Sequence, residues 1–407
     1  MKRRKLLKTI GLATGGLMLP VGQKSWVARG LSRKPNPPRL VVILLRGAID
    51  GLSVVVPHQD LDYYAQRPNI AVAPPGESRG AIDLDGFFGL NPNLQPLMPF
   101  WRQQNLAFIA NSGSQVKTRS HFDAQDYLES GTPGIKRTAD GWLNRLLLQL
   151  DESRPTQALN VGKVTPRILQ GKAAVAHLRP GKDSLRQIPL DRDRVGTAFD
   201  SLYGGQGKLD LIYQQGREAR EIIRQELTQE MMAASGQALS ANQFVDDAAE
   251  VAKLIAGNTK TQVAFMDVGG WDSHIRQPSL LNRALPNLGK GLATLATNLG
   301  TVYDQTTIVV MSEFGRTVKE NGNKGTDHGY GNFMWLLGGA VQGGKIYGDW
   351  TGLSESQLHE QRDLPVTTDF RDAIATILRN HLQLDSQQIA QVFPNYTFAS
   401  SQLDLVR

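Results

Sequence analysis

Three histidines in the loops that follow apolar runs stand within two residues of an aspartate: His121 in Ser120-His121-Phe122-Asp123, His274 in Asp272-Ser273-His274, and His328 directly after Asp327. Carboxylate oxygen and imidazole nitrogen together suit zinc, or manganese or iron, because Ca²⁺ and Mg²⁺ prefer all-oxygen shells. Asp272 and His274, two apart, would share one face of an extended segment. Asp327 and His328 are neighbours and on a strand would point to opposite faces, so both reach one ion only from irregular backbone. Gly325, Gly329 and Gly331 would supply that freedom. Asp50 and Glu313 each follow an apolar run, and Arg316 could bind an anionic substrate oxygen. The sharp reading is a metal-dependent hydrolytic site in which Ser120 or a metal-activated water attacks and two ions stabilise the charges.

Each residue also has a plainer reading. Asp50 could be a turn residue, Ser120 a helix cap, His121 a packing partner of Tyr127, and Glu313 a buried carboxylate paired with Arg316. Trp271 and Trp335 read as packing, and His58, His177, His359 and His381 as structural.

The elements that must position these residues alternate. Leu40–Leu45, Asn105–Asn111, Gln262–Val268, Thr306–Val310 and Phe333–Leu337 are short apolar runs that read as buried strands, with a weaker one at Ala158–Gly162. Between them, Leu94–Trp101, Ser120–Ser130, Leu209–Met232, Gln243–Ile255 and Leu280–Leu299 read as helices, and Asp369–Leu382 as another capped by Thr367-Thr368. Strands separated by helices predict an α/β fold, a mostly parallel sheet between two helical layers. Ligands in such sheets bind outside the carboxyl ends of the strands, where Asp50, Ser120, Asp272 with His274, and Glu313 with the Asp327-His328 loop all fall. Residues 60 to 86 read as a polar excursion, and about 60–90 and 165–240 as cap-like insertions.

The chain has 407 residues, 40% apolar, with no cysteine, and a net charge of +7. Residues 1–39 hold ten Lys and Arg and no acid, so the body carries 35 basic against 38 acidic residues and is not a nucleic-acid surface by charge. The basic head, Lys2-Arg3-Arg4-Lys5 before the mildly apolar Thr9–Pro20, resembles a twin-arginine export signal that engages the twin-arginine translocation machinery. The apolar stretch is too short for a stable membrane span. Residues 1–38 are therefore expected to be a signal and Pro-rich linker, residues 39–407 one domain, and the product exported to the periplasm.

Arg46-Gly47-Ala48-Ile49-Asp50-Gly51-Leu52, the Ser120-His121-Phe122-Asp123 helix start, Gly270-Trp271-Asp272-Ser273-His274, Ser312-Glu313-Phe314-Gly315-Arg316-Thr317 and Thr326-Asp327-His328-Gly329, in this order, resemble an uncharacterised family of exported bacterial proteins. That family carries a domain-of-unknown-function name and belongs to the alkaline phosphatase and sulfatase superfamily. The resemblance implies an alkaline-phosphatase-like three-layer core and metal-dependent hydrolysis of a phosphate or sulfate ester. Asp50 would match the first-strand metal aspartate, Asp327 and His328 an Asp-His metal pair, Asp272 and His274 the other ion's ligands, and Ser120 the nucleophile position. Here Asp327 comes fourteen residues after Glu313, and no late histidine completes a second ion, so one ion or two stays open. The alternative is a non-catalytic relative acting as a binding or cell-envelope protein.

Overall fold

The computed structural model describes residues 37–150, 156–162, 164–178, 193–233, 243–257, 260–398 and 403–407. Residues 1–36 of the expected signal and linker lie outside the described residues, as do 179–192 and 234–240 of the expected cap. The chain divides into two compact units, Met1–Pro37 and Pro38–Arg407, and every element described belongs to the second.

The described strands are β1 (Arg39–Arg46), β2 (Val55–Val56), β3 (Ile82–Asp83), β4 (Gly89–Leu90), β5 (Leu106–Gly113), β6 (Ala158–Val161), β7 (Ala176–Leu178), β8 (Val263–Gly269), β9 (Thr306–Met311), β10 (Asn332–Leu337), β11 (Lys345–Tyr347) and β12 (Thr368–Asp369). The helices are α1 (Gly51–Val54), α2 (Leu61–Gln66), α3 (Met98–Arg102), α4 (His121–Ser130), α5 (Trp142–Leu147), α6 (Asp193–Leu202), α7 (Lys208–Ala233), α8 (Gln243–Ala256), α9 (Gln277–Asn298), α10 (Phe370–Asn380) and α11 (Ser386–Val392).

Nine strands form one sheet in the order β11-β5-β10-β9-β1-β8-β6-β7, with β12 also pairing β5. β1 is apolar throughout because it is covered on both faces. Leu40, Val42 and Leu44 face one apolar layer, and Val41, Ile43 and Leu45 the other. The first layer is completed by α5, α10 and α11, and the second by α3, α8 and α9. In α9, Leu281, Leu285, Leu288, Leu292 and Leu295 recur at the three-and-four spacing of a helix stripe, and all are buried. The fold is the expected three-layer α/β architecture.

β1 runs parallel to β8 and β9. β10 is antiparallel to β9 and to β5, so β5 runs with β1. The carboxyl ends of β1, β5, β8 and β9, together with the start of β10, therefore meet at one edge.

Three local expectations change. The run Leu94–Trp101 is a 3₁₀ turn, Pro92–Leu97, followed by α3, because Pro96 and Pro99 lack the N–H groups a continuous α-helix needs. The cap of α10 is Asp369, whose side chain accepts from Arg371 N, one position beyond the threonines. Residues 60–86 contribute α2 and β3, the latter an edge of a three-stranded sheet ordered β2-β4-β3, and they bury Tyr63 and Arg67.

Candidate metal centre

Close backbone approach builds the edge. A side chain at Gly47, whose φ is +113°, would place its Cβ 2.7 Å from Asp272 N, so the loops after β1 and β8 touch only because glycine stands there. Gly325, Gly329 and Gly331 lie outside the left-handed region. They are needed for space instead, since a Cβ at each would collide with backbone at His274, Arg316 and Pro365 respectively. The loop between β9 and β10 folds back on itself, with Arg316 bridged to His328 and Thr317 N donating to Asp327 O at 3.0 Å. That extended pairing sends the Asp327 and His328 side chains to different places.

The cluster consists of His121, Asp272, His274 and His328. The Nε2 atoms of His274 and His328 are 3.0 Å apart. Asp272 Oδ1 lies 3.1 Å from His274 Nε2 and 3.6 Å from His328 Nε2, and Asp272 Oδ2 lies 3.7 Å from His121 Nε2. One ligand atom from each of His121, Asp272 and His328 falls within 4.8 Å of the others.

The Nδ1 partners assign the tautomers. His328 Nδ1 is 2.8 Å from the Arg119 carbonyl, which can only accept, so this nitrogen carries the proton. His121 Nδ1 is 2.8 Å from Glu313 Oε1 and His274 Nδ1 is 3.0 Å from Asp327 Oδ1. Burial pushes the Glu313 carboxyl up, but hydrogen bonds from Gln125, its own and the Gly47 backbone, and His121 outweigh it and hold it below the usual range. The His274 hydrogen bond, against a smaller burial effect, holds the Asp327 carboxyl low. Both carboxylates are ionised at neutral pH and accept, so in the neutral form of each ring the Nε2 atom is an acceptor and can ligate a cation.

With both rings in that form, the Nε2 atoms of His274 and His328, 3.0 Å apart, would repel. The Nε2 of His121 is also buried without a hydrogen-bond partner. A cation bound among the four side chains relieves both. Donors 2.0–2.1 Å from one ion at tetrahedral angles stand about 3.3 Å apart, close to the separations of Asp272 from the three rings and of His274 from His328. Imidazoles whose other nitrogen donates to a carboxylate or carbonyl are the usual arrangement behind metal ligands. Burial, as the largest influence, lowers the pKa of His328, which keeps its Nε2 unprotonated. Burial also pushes Asp272 up, but the Arg316 hydrogen bond and charge, with His274 and His121, bring it below the usual carboxylate range.

The other candidate residues surround this cluster or stand apart from it. Glu313 and Asp327 sit behind His121 and His274, on their Nδ1 sides. Arg316 is buried and donates to Ala48 O, Gly47 O, Thr326 O and, at 2.5 Å, to Asp272 Oδ1, so it ties three loops together rather than facing an open anion site. Ser120 is the cap of α4, its Oγ accepting from Asp123 N, and it is exposed. Asp50 is not brought to the histidines: its buried carboxylate accepts from Arg67 at 2.6 and 3.0 Å, Ser53 at 2.6 Å and Gln277 at 2.6 Å. A protein guanidinium thus occupies the place a cation would take beside Asp50.

Sequence reasoning missed Arg67, Gln277, Gln125 and the Arg119 carbonyl. Arg67 lies in the polar stretch read as an excursion, and nothing in its neighbours marks it as buried. Gln277 accepts from Ser273 Oγ and Thr326 Oγ1 while donating to Asp50, a role visible only once three loops meet. A cavity of about 610 Å³ has Gln277 and Ser53 in its wall and none of the four cluster residues.

Fold and cluster define an α/β protein with a histidine-rich, solvent-reached centre at the carboxyl edge of its sheet. The chain belongs to the family described as "Protein of unknown function (DUF1501)", which it matches over residues 110–393. No curated protein matches it. Solved structures similar to it include Ps i-CgsB in complex with k-i-k-neocarrahexaose, 11% identical, covering 86% of this chain and 74% of that one with a TM-score of 0.38. Another is a protein in the alkaline phosphatase superfamily from Vibrio parahaemolyticus, 12% identical, covering 77% and 63% of the two chains with a TM-score of 0.37. A third is the C-terminal periplasmic domain of EcEptC from Escherichia coli in complex with Zn, 9% identical, covering 75% and 73% with a TM-score of 0.36.

Proposed function

We propose that this protein binds one divalent transition ion, zinc or else manganese or iron, through His121, Asp272, His274 and His328, and hydrolyses a phosphate or sulfate ester there. The observation that carries the reading is the set of three imidazoles, each anchored through Nδ1 and each aiming its Nε2 toward Asp272. When bound, such an ion supplies Lewis acidity to the site. The protein's own residues do the rest. Glu313, Asp327 and the Arg119 carbonyl hold the ring orientations, and Arg316 holds Asp272. The Asp272 and His274 side chains remain 49% and 40% exposed, which leaves a side from which an ester can approach. One ion rather than two follows from Asp50, whose oxygens are already taken by Arg67, Ser53 and Gln277. With Ser120 exposed and capping α4, water is the nucleophile in this reading. The basic head supports export by the twin-arginine route to the periplasm. Among the described residues no helix is long and apolar enough to cross a membrane.

A second reading, a non-catalytic binding or cell-envelope protein, is favoured by the commitment of Asp50 and Ser120 to structural contacts. Elemental mass spectrometry on the purified protein and on His121→Ala/His328→Ala, followed by an aryl phosphate and aryl sulfate screen, separates the two. About one equivalent of metal, lost in the variant, with turnover supports the hydrolase. Metal without turnover supports the binding protein. A wild-type protein that takes up no metal sinks both versions of the metal centre.

A further inference from the structure

The hydrolase reading leaves a charge problem, because Arg316 spends its buried guanidinium on three carbonyls and Asp272. An anionic ester needs a cation elsewhere. A cavity of about 160 Å³ is walled by residues that include Lys117, Arg119, Gly329, Tyr330, His359 and Glu360. Gly329 follows His328 directly, and the Arg119 carbonyl is the group that holds His328 Nδ1 at 2.8 Å. Cavity and cluster therefore share a wall. At about 30 Å³ per water, the space equals roughly five waters, enough for one tetrahedral oxyanion with some of its hydration.

The donors in that wall are only partly used. Arg119 gives Nη2 to Glu360 Oε2 at 2.7 Å and to Asp363 Oδ2 at 2.8 Å. Among the described residues its Nε and Nη1 make no hydrogen bond or ion pair, and neither does the Lys117 ammonium. Against the two carboxylates stand three cations, since Arg362 Nη1 lies 3.8 Å from Asp363 Oδ2. The acids are paired with the two arginines, and Lys117, which acts on Glu360 through its charge alone, keeps its N–H groups free for a ligand. Tyr330 Oη donates to Gln115 O at 3.1 Å and adds no charge. His359 packs at a tilt against Tyr330, with Nε2 3.5 Å from Glu360 Oε1.

We propose that this cavity is an anion subsite in which Lys117 and the spare Arg119 N–H groups hold a second negatively charged group of the substrate. The preferred ester then carries an oxyanion or carboxylate beyond the one being hydrolysed. That substrate class rests on the hydrolase reading; the anion binding itself does not.

The test is calorimetric titration of sulfate into the full-length protein at low ionic strength, as purified and again after chelator treatment. Wild-type protein should bind sulfate in both states, Lys117→Arg should retain it, and Lys117→Ala should bind about tenfold or more weakly. Lys117 is exposed and has no structural partner among the described residues, so the variant is expected to fold, as its melting temperature will report. Sulfate binding that Lys117→Ala leaves unchanged, that disappears with the chelator, or that is absent from wild-type protein overturns the subsite. Because the chelator arm removes any metal, failure of the metal centre and failure of the subsite give different results.

Discussion

Removing the guanidinium beside Asp50 is expected to destabilise the protein more than almost any other single change. Arg67 and Asp50 have side chains 0% and 1% exposed. Arg67 also donates to Val318 O at 2.7 Å and Thr317 O at 3.0 Å, so it pins the loop after β9 to the start of α1. Arg67→Met leaves a buried carboxylate with two neutral donors, and breaking such a pair from one side costs about 3–5 kcal/mol. For a folded unit of about 370 residues, an unfolding entropy of about 2.1 cal/mol/K per residue sums to about 0.8 kcal/mol/K. The melting temperature should then fall by about 4–6 °C in differential scanning calorimetry at pH 7. Asp50→Asn/Arg67→Met removes both charges and should recover much of the loss, because a buried ion pair replaced as a pair is often nearly neutral. The pH dependence has a defined sign. Burial raises the Asp50 carboxyl, but the Arg67 charge and hydrogen bond, with Ser53 and Arg316, bring it below its ordinary value. A depressed carboxyl contributes stability above the unfolded value of about 3.9 and loses it as pH falls through the folded one. The gap between wild type and Arg67→Met should therefore narrow below about pH 4. A drop under about 2 °C, or a double variant as unstable as the sum of the singles, would refute the account of Asp50 as one half of a structural pair.

Three further outcomes are expected. Asp327→Asn removes the charge behind His274 and should weaken metal binding about 10–100-fold in a chelator competition, with little change in melting temperature; unchanged affinity would remove Asp327 from the centre. Arg316→Lys cannot reproduce four hydrogen bonds from a planar fork and should lower both metal affinity and melting temperature, so a variant unaffected in both would show that the three loops do not depend on it. Arg3→Lys/Arg4→Lys should abolish export of a fused periplasmic reporter, and continued export would exclude the twin-arginine route.

The sheet was legible because β1, β9 and β10 are apolar on both faces, a pattern that burial between two helical layers imposes and that a surface strand does not tolerate. The strand-end rule then pointed to the edge where the histidine cluster lies. It could not separate residues facing the cluster from residues behind them. Asp327 and Glu313 look like ligands in the chain because carboxylates are ligands, yet each stands on the Nδ1 side of an imidazole. Nothing in a linear pattern tells which ring nitrogen a neighbour will meet.

The adjacent pair Asp327-His328 shows how the backbone resolves that ambiguity. Neighbours on extended chain point to opposite sides, and the pairing of Thr317 with Asp327 and of Arg316 with His328 makes this stretch extended. His328 turns its Nε2 to the cluster, and Asp327 reaches around to His274, whose own Nε2 returns to within 3.0 Å of His328. The pair therefore closes a ring about His274, one residue orienting it and the other meeting it. Both residues can serve one centre without both being ligands, and the glycines at 325, 329 and 331 matter because they let the loops pack closely enough for that ring to close.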